Sequence, residues 1–254
     1  MPIIRLPQIA AYCDQTLHTA AFGDYDGAVN GLQVENRTGQ VTCIAATVDA
    51  SLATVELAIA AKADLLLVHH GLFWSKLQPW TGKKFTLIRR LIEHNVAVYS
   101  SHLPLDAHPR LGNNIQLAKA LGLKNLKPFF PSHGQPIGHR ATTSISRAAL
   151  AARLAQTTGG TPKIIPAGPD QCRQIGIVTG GAGGDLKLAA AAGVDTFITG
   201  EGPHWTYALA EELGINVFYA GHYATETFGA KALAADLAKK FRLPWVFLDH
   251  PTGL

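Results

Sequence analysis

Five residues of metal-ligand type stand where apolar runs of this chain end. His69 and His70 close the run Asp64-Leu65-Leu66-Leu67-Val68, with Gly71 behind them. Asp106 ends Ser101-His102-Leu103-Pro104-Leu105-Asp106, and far downstream His222 and Glu226 stand in Gly221-His222-Tyr223-Ala224-Thr225-Glu226. Imidazole nitrogens and carboxylate oxygens are donors that divalent metals take. Five donors exceed what one tetrahedral ion uses, so the set points to two divalent ions. Zn, Mn, Fe and Ni all suit imidazole with carboxylate, and the donor types alone do not choose among them.

Each motif also has a plainer reading. Neighbours in a regular strand face opposite sides, so His69 and His70 converge only where the chain bends, which Gly71 permits. The alternative is one structural and one exposed histidine. His222 and Glu226 are four apart and share one face of any helix that starts there; the alternative is an acid placed for the helix dipole. Asp106 could cap a helix, but Asn113 is better placed to cap the one predicted over Asn114–Leu121. That leaves the Asp106 carboxylate for another task. His102 is expected behind the ligands rather than among them, and His102 or Glu201 could move protons. His108 and His204 are pocket candidates, though such residues are more often surface or packing residues.

The run Gly180-Gly181-Ala182-Gly183-Gly184 follows a predicted strand and precedes a helix. Backbone N–H groups at such a place can cradle an anion, which makes Gly180, Gly181, Gly183 and Gly184 candidate substrate contacts. The run matches neither a dinucleotide fingerprint nor a P-loop, and a tight turn explains it equally well.

These residues need a scaffold that delivers strand ends to one place. Short β-branched runs predict strands over Val41–Val48, Leu65–His69, Val96–Ser100, Ile175–Thr179, Thr196–Thr199, Val217–Ala220 and Trp245–Leu248. Helices are predicted over Ser51–Ala61, Thr86–His94, Asn114–Leu121, Arg147–Gln156, Leu186–Ala192, Trp205–Leu213 and Thr225–Phe241. Continuous apolar strands linked by helices give an α/β fold with largely parallel sheets, which place ligands at the carboxyl ends of their strands. The chain also carries a diverged duplication. Asp64 to Trp74 aligns with Asp195 to Trp205, and Tyr99-Ser-Ser-His102-x-x-x-Asp106 with Tyr219-Ala-Gly-His222-x-x-x-Glu226. Two similar α/β lobes follow, approximately residues 1–126 and 127–254, with the dinuclear site expected in the cleft between them. Lys127–Gly138, rich in Pro and Gly, reads as the junction, and Thr158–Asp170 as a second loop-rich stretch.

At 254 residues, 47% hydrophobic and 16% charged, the chain has ample material for a core, and its low charge favours an oligomer with buried faces. A net charge of +4 is spread thinly, in pairs such as Lys83-Lys84 and Arg89-Arg90. That argues against nucleic acid as the main partner without excluding it. Three dispersed cysteines form no framework, and Cys43 is expected to be buried in a strand. With no leader pattern and no apolar run of membrane length, a cytoplasmic protein that binds no membrane is expected.

Together Leu67-Val68-His69-His70-Gly71, Ser101 to Asp106, Leu111-Gly112-Asn113-Asn114, Gly180-Gly181-Ala182-Gly183 and Gly221 to Glu226 resemble the Nif-three-like family. Its members are often called GTP cyclohydrolase 1 type 2 homologues. Asn30-Gly31-Leu32-Gln33-Val34-Glu35 matches too, so the likeness runs through nearly the whole chain. The resemblance implies a dinuclear metal site on His69, His70, Asp106, His222 and Glu226, two similar α/β lobes, and a toroidal homohexamer. The tail Asp249-His250-Pro251-Thr252-Gly253-Leu254 matches the family's usual ending only in part.

Two functions fit these observations. The first is a metal-dependent hydrolase of a small anionic or nucleotide-like substrate, with GTP cyclohydrolase and phosphoesterase chemistry equally compatible and Glu226 bridging the ions. The second is a non-catalytic metal-binding or regulatory hexamer that contacts protein or nucleic acid.

Overall fold

Strands that are apolar on both faces must be covered on both faces, and this shapes each half of the molecule. The computed structural model describes residues 3–74 and 79–254. It divides into two compact units, Met1–Leu105 with Gly229–His250, and Asp106–Phe228 with Pro251–Leu254. The sequence boundary between 126 and 127 falls inside the second unit.

The first unit begins with β1 (Ile4–Arg5), α1 (Leu6–Leu17), β2 (Gly31–Val34) and β3 (Gln40–Val41). It continues through β4 (Ile44–Asp49), α2 (Leu52–Ala60), β5 (Leu65–His70), α3 (Gly82–Glu93), β6 (Ala97–Ser100) and α4 (Leu103–Asp106), which ends at the border. Its main sheet has the order β13-β4-β5-β6-β2, where β13 is Trp245–Phe247. β13, β4, β5 and β6 run parallel, and β2 closes the edge antiparallel to β6. Ala45, Leu66, Val68, Val98 and Leu91 belong to the core that covers one side. The parallel register sets Asp49 beside His70 and Val68 beside Ser100, so three strand ends arrive together.

The second unit contains α5 (Asn113–Ala120), β7 (Lys127–Ser132), β8 (Gln135–Ser146), α6 (Arg147–Thr158), β9 (Lys163–Pro166) and β10 (Gln171–Ile177). After these come α7 (Leu186–Ala191), β11 (Thr196–Thr199), α8 (Thr206–Leu213) and β12 (Asn216–Tyr219). The long α9 (His222–Phe241) starts in this unit and ends in the first. The sheet order is β7-β8-β10-β11-β12-β9, with only β10, β11 and β12 parallel. The fold class is α/β, as expected, but both sheets are mixed.

Three expectations are corrected. Lys127–Gly138 is not a loose junction, because its residues form β7 and the start of β8, an antiparallel hairpin. His133 and Gly134 turn it with φ of 48° and 81°, the double positive-φ geometry that suits strand twist. Pro128 and Pro131 are tolerated because β7 is an edge strand, and Pro136 stands at the start of β8, before the residues that pair with β10. Thr158–Asp170 likewise contains a strand, β9. Cys43 lies just before β4 and is only half-buried. Among the described residues, no helix is long and apolar enough to cross a membrane.

Candidate metal centre

In the first unit the structure brings three imidazoles together. His69 and His70 end β5, their rings 4.8 Å apart, and the His102 ring lies 4.9 Å from His69 and 5.7 Å from His70. Each offers a ligand atom within 4.8 Å of the others. Gly71 is required immediately behind them, since a Cβ there would run into the side chains of Gln33 and Ser100. Trp74 covers the group, with ring centroids 4.5 Å from His102 and 5.3 Å from His70.

All three rings are pinned through Nδ1. His69 Nδ1 lies 2.9 Å from the Ser101 carbonyl oxygen. A carbonyl only accepts, so Nδ1 carries a proton, and in the neutral ring the lone pair sits on Nε2. His70 Nδ1 meets Asp49 Oδ1 at 2.8 Å, and His102 Nδ1 meets Asp24 Oδ1 at 2.8 Å. Asp24 is itself fixed by the Tyr25 and Leu103 backbone N–H groups and by Asn30 Nδ2. Burial opposes ionisation of Asp24, yet the hydrogen bond from His102 and the donors around it hold its pKa below the ordinary value. Asn30 also accepts the His102 N–H at 2.7 Å, locking backbone and ring to one loop. An open cavity of about 640 Å³ adjoins this loop, and Asp14, Asp24, Tyr25 and Asn30 are among its walls.

The second unit supplies carboxylates. His222 begins α9 and Glu226 follows one turn later, with Nε2 and Oε2 3.1 Å apart. On its other side, His222 Nδ1 lies 2.8 Å from Glu201 Oε1. Burial disfavours charge on this imidazole, but the two carboxylates outweigh it, Glu226 foremost, and raise its pKa to about 9. Glu226 is buried, at 3% exposure, whereas the Glu201 side chain is 48% exposed. Gly180 makes room for Glu226: its φ is +70°, and a Cβ there would overlap Glu226 Oε1. Asp106 is buried too, and Asn113 Nδ2 donates to its Oδ1 at 2.8 Å.

Asn113 is therefore not the helix cap expected from sequence. Gly112 occupies that position without a side-chain cap, and Asn113 is the first helical residue, its amide turned to Asp106. In the glycine run, Gly180 donates its N–H to Thr225 Oγ1 and Gly183 donates to the Glu201 carbonyl. His108 accepts from the Arg110 and Leu111 N–H groups and shapes a turn, while His204 is exposed before α8. Asp24 and Asp49, which meet His102 and His70, are positions that sequence reading missed. Asp49 left one signal, an acid ending a strand beside β5. Asp24 left none, since it reaches His102 from 78 residues away.

The donor set fits divalent metal. Histidine ligands characteristically hold the second ring nitrogen against a carboxylate or carbonyl, which fixes the tautomer and raises basicity. Four imidazoles here show that arrangement.

The chain is 42% identical over 231 residues to the GTP cyclohydrolase 1 type 2 homolog of Deinococcus radiodurans, covering 90% of this chain and 88% of that one. The protein of the same name from Halobacterium salinarum is 42% identical over 237 residues, 91% of this chain and 93% of its own. The crystal structure of a Thermus thermophilus protein superimposes with a TM-score of 0.91 at 40% identity, over 99% of this chain and all of that one. Protein ybgI, described as of unknown function, superimposes with a TM-score of 0.92 at 34% identity, over 99% and 100%. A profile of Duf34/NIF3 (NGG1p interacting factor 3) proteins matches residues 4–252. The chain belongs to that family.

Proposed function

We propose that this protein binds two divalent metal ions and uses them to hydrolyse a small anionic or nucleotide-like substrate. His69, His70, Asp106, His222 and Glu226 are the proposed donors. The observation that carries this reading is the pinning of each ligand imidazole through Nδ1, which leaves Nε2 as the ligand atom. Bound ions would supply Lewis acidity and a nucleophile active near neutral pH. His102, held by the ionised Asp24, orients the cluster and serves proton movement, and Glu201 does the same for His222.

A cavity of about 640 Å³ is of small-molecule size. Asp14 in its wall favours a hydrogen-bond donor there rather than an anionic group, so a substrate would place its N–H or O–H groups on that side. The glycines at 180, 181, 183 and 184 are proposed to pack against the site, with phosphate contact confined to N–H groups that the loop leaves available. The relatives' shared name makes GTP the first compound to try. We also propose that the units arose by duplication, β5 corresponding to β11 and β6 to β12, and that the protein works as a homohexamer.

The test is metal analysis of the purified chain followed by turnover assays on GTP and on phosphomonoesters and diesters. Turnover that tracks metal loading supports the hydrolase. Stoichiometric metal with no turnover in any class would leave a metal-binding or regulatory protein instead.

A further inference from the structure

Asn113 and Asn114, side by side at the start of α5, are both at 0% exposure. A buried amide costs free energy unless its donors and acceptor are engaged. Asn113 gives its Nδ2 to Asp106 Oδ1 at 2.8 Å. Asn114 ties three segments: its Nδ2 donates to the Ile137 carbonyl at 2.8 Å and to the Asp106 carbonyl at 3.3 Å, and its Oδ1 accepts the Thr179 N–H at 2.7 Å. Thr179 leads into Gly180, whose N–H goes to Thr225 Oγ1 and whose missing Cβ leaves the space that Glu226 fills. A continuous set of short contacts thus runs from Asp106, through Asn114 and the Thr179–Gly180 turn, to Glu226. A pair of apolar residues would fill the same volume without desolvating two amides, so packing alone does not account for them.

We propose that Asn113 and Asn114 are positioning residues for the two carboxylate donors of the second unit. Asn113 sets the rotation of the Asp106 carboxylate. Asn114 sets the spacing between Asp106 and the turn that seats Glu226. The inference rests on Asp106 and Glu226 being metal donors.

The experiment measures Zn²⁺ affinity of the full chain by chelator competition, alongside thermal unfolding of the metal-free protein. Asn113→Leu keeps the volume and removes the donor, and Asn114→Asp keeps the acceptor for Thr179 and loses both donations. Asn113→Ser retains a shorter donor, and Asp106→Ala is the reference. Loss of an outer-shell partner costs roughly 10–100-fold in metal affinity, which is the expectation for Asn113→Leu and Asn114→Asp, with Asn113→Ser between Asn113→Leu and wild type. A merely structural role would lower the metal-free melting temperature without that graded order. If Asn113→Leu does not fold, Asn113→Ser and Asn114→Asp carry the same comparison. Wild-type affinity in the asparagine variants, with Asp106→Ala weakened, overturns the positioning role and leaves the metal reading intact. Wild-type affinity in all of them, Asp106→Ala included, overturns the metal reading and this inference together.

Discussion

The two units differ in what surrounds their imidazoles. In the first, His69, His70 and His102 are each aimed by an oxygen on Nδ1, and one of these oxygens is a neutral carbonyl. In the second, acids dominate: Glu226 and Asp106 are buried, and His222 sits between Glu226 and Glu201 with its pKa raised to about 9. In the first unit the carbonyl on Nδ1 leaves Nε2 as the candidate ligand atom of His69. In the second, His222 lies between the Glu201 and Glu226 carboxylates, and its proton is one that any metal bound there would have to displace. Removal of one group on the carboxylate side leaves an uncompensated neighbour, so substitutions there should do most harm.

Glu226→Gln should show the largest effect. Metal content after reloading with Zn²⁺ and dialysis is expected to fall, with at least a hundredfold loss of affinity, about 2.7 kcal/mol or more. Gly180→Ala should come next, because it meets a positive φ and the Glu226 carboxylate at once. A loss of about 1–3 kcal/mol in denaturant unfolding is expected, and unchanged stability would show that the turn does not seat Glu226.

Asp24→Asn and Asp49→Asn sharpen the comparison within the first unit. Asp24 is nearly enclosed, its side chain 5% exposed, whereas Asp49 is 36% exposed. Both should weaken metal binding within the roughly 10–100-fold range of outer-shell partners, Asp24 more than Asp49, as read by isothermal titration. Equal effects would mean that burial of the partner does not matter.

The smallest effect is expected from Glu201→Gln. In the metal-free protein it should lower the His222 pKa from about 9 toward 6.5, read by NMR titration, while Glu226 still holds the ring. Because the folded value lies above the ordinary one, the ion pairing stabilises the metal-free fold below about pH 6.5. That contribution fades as pH rises through 9. Glu201→Gln should shrink it, and an unmoved titration would remove Glu201 from the account.

Much of this was legible in the residues themselves. Strands β4, β5, β6, β10, β11, β12 and β13 all overlap predicted apolar runs, because buried parallel strands show no polar alternation to confuse them. Strand-end position also singled out His69, His70, Asp106, His222 and Glu226. The hairpin of β7 and β8 was hidden by its prolines, which exclude a central strand but not an edge (Pro128, Pro131) or a strand's first residues (Pro136). The mounts were hidden for another reason. Asp24 reaches His102, and Asn114 reaches Thr179, only once distant segments are folded, and no local spacing encodes such pairs. Asn113 was misread because capping preference is a local rule, and a buried carboxylate nearby had the stronger claim on its amide.

The central claim is that these imidazoles and carboxylates hold metal. Elemental analysis of the purified full chain, reloaded with Zn²⁺ or Mn²⁺ and dialysed, tests it most directly beside Glu226→Gln. About two ions per wild-type chain and a clear loss in the variant are expected. Wild-type protein that retains no stoichiometric metal, or a variant that retains as much as wild type, would contradict it.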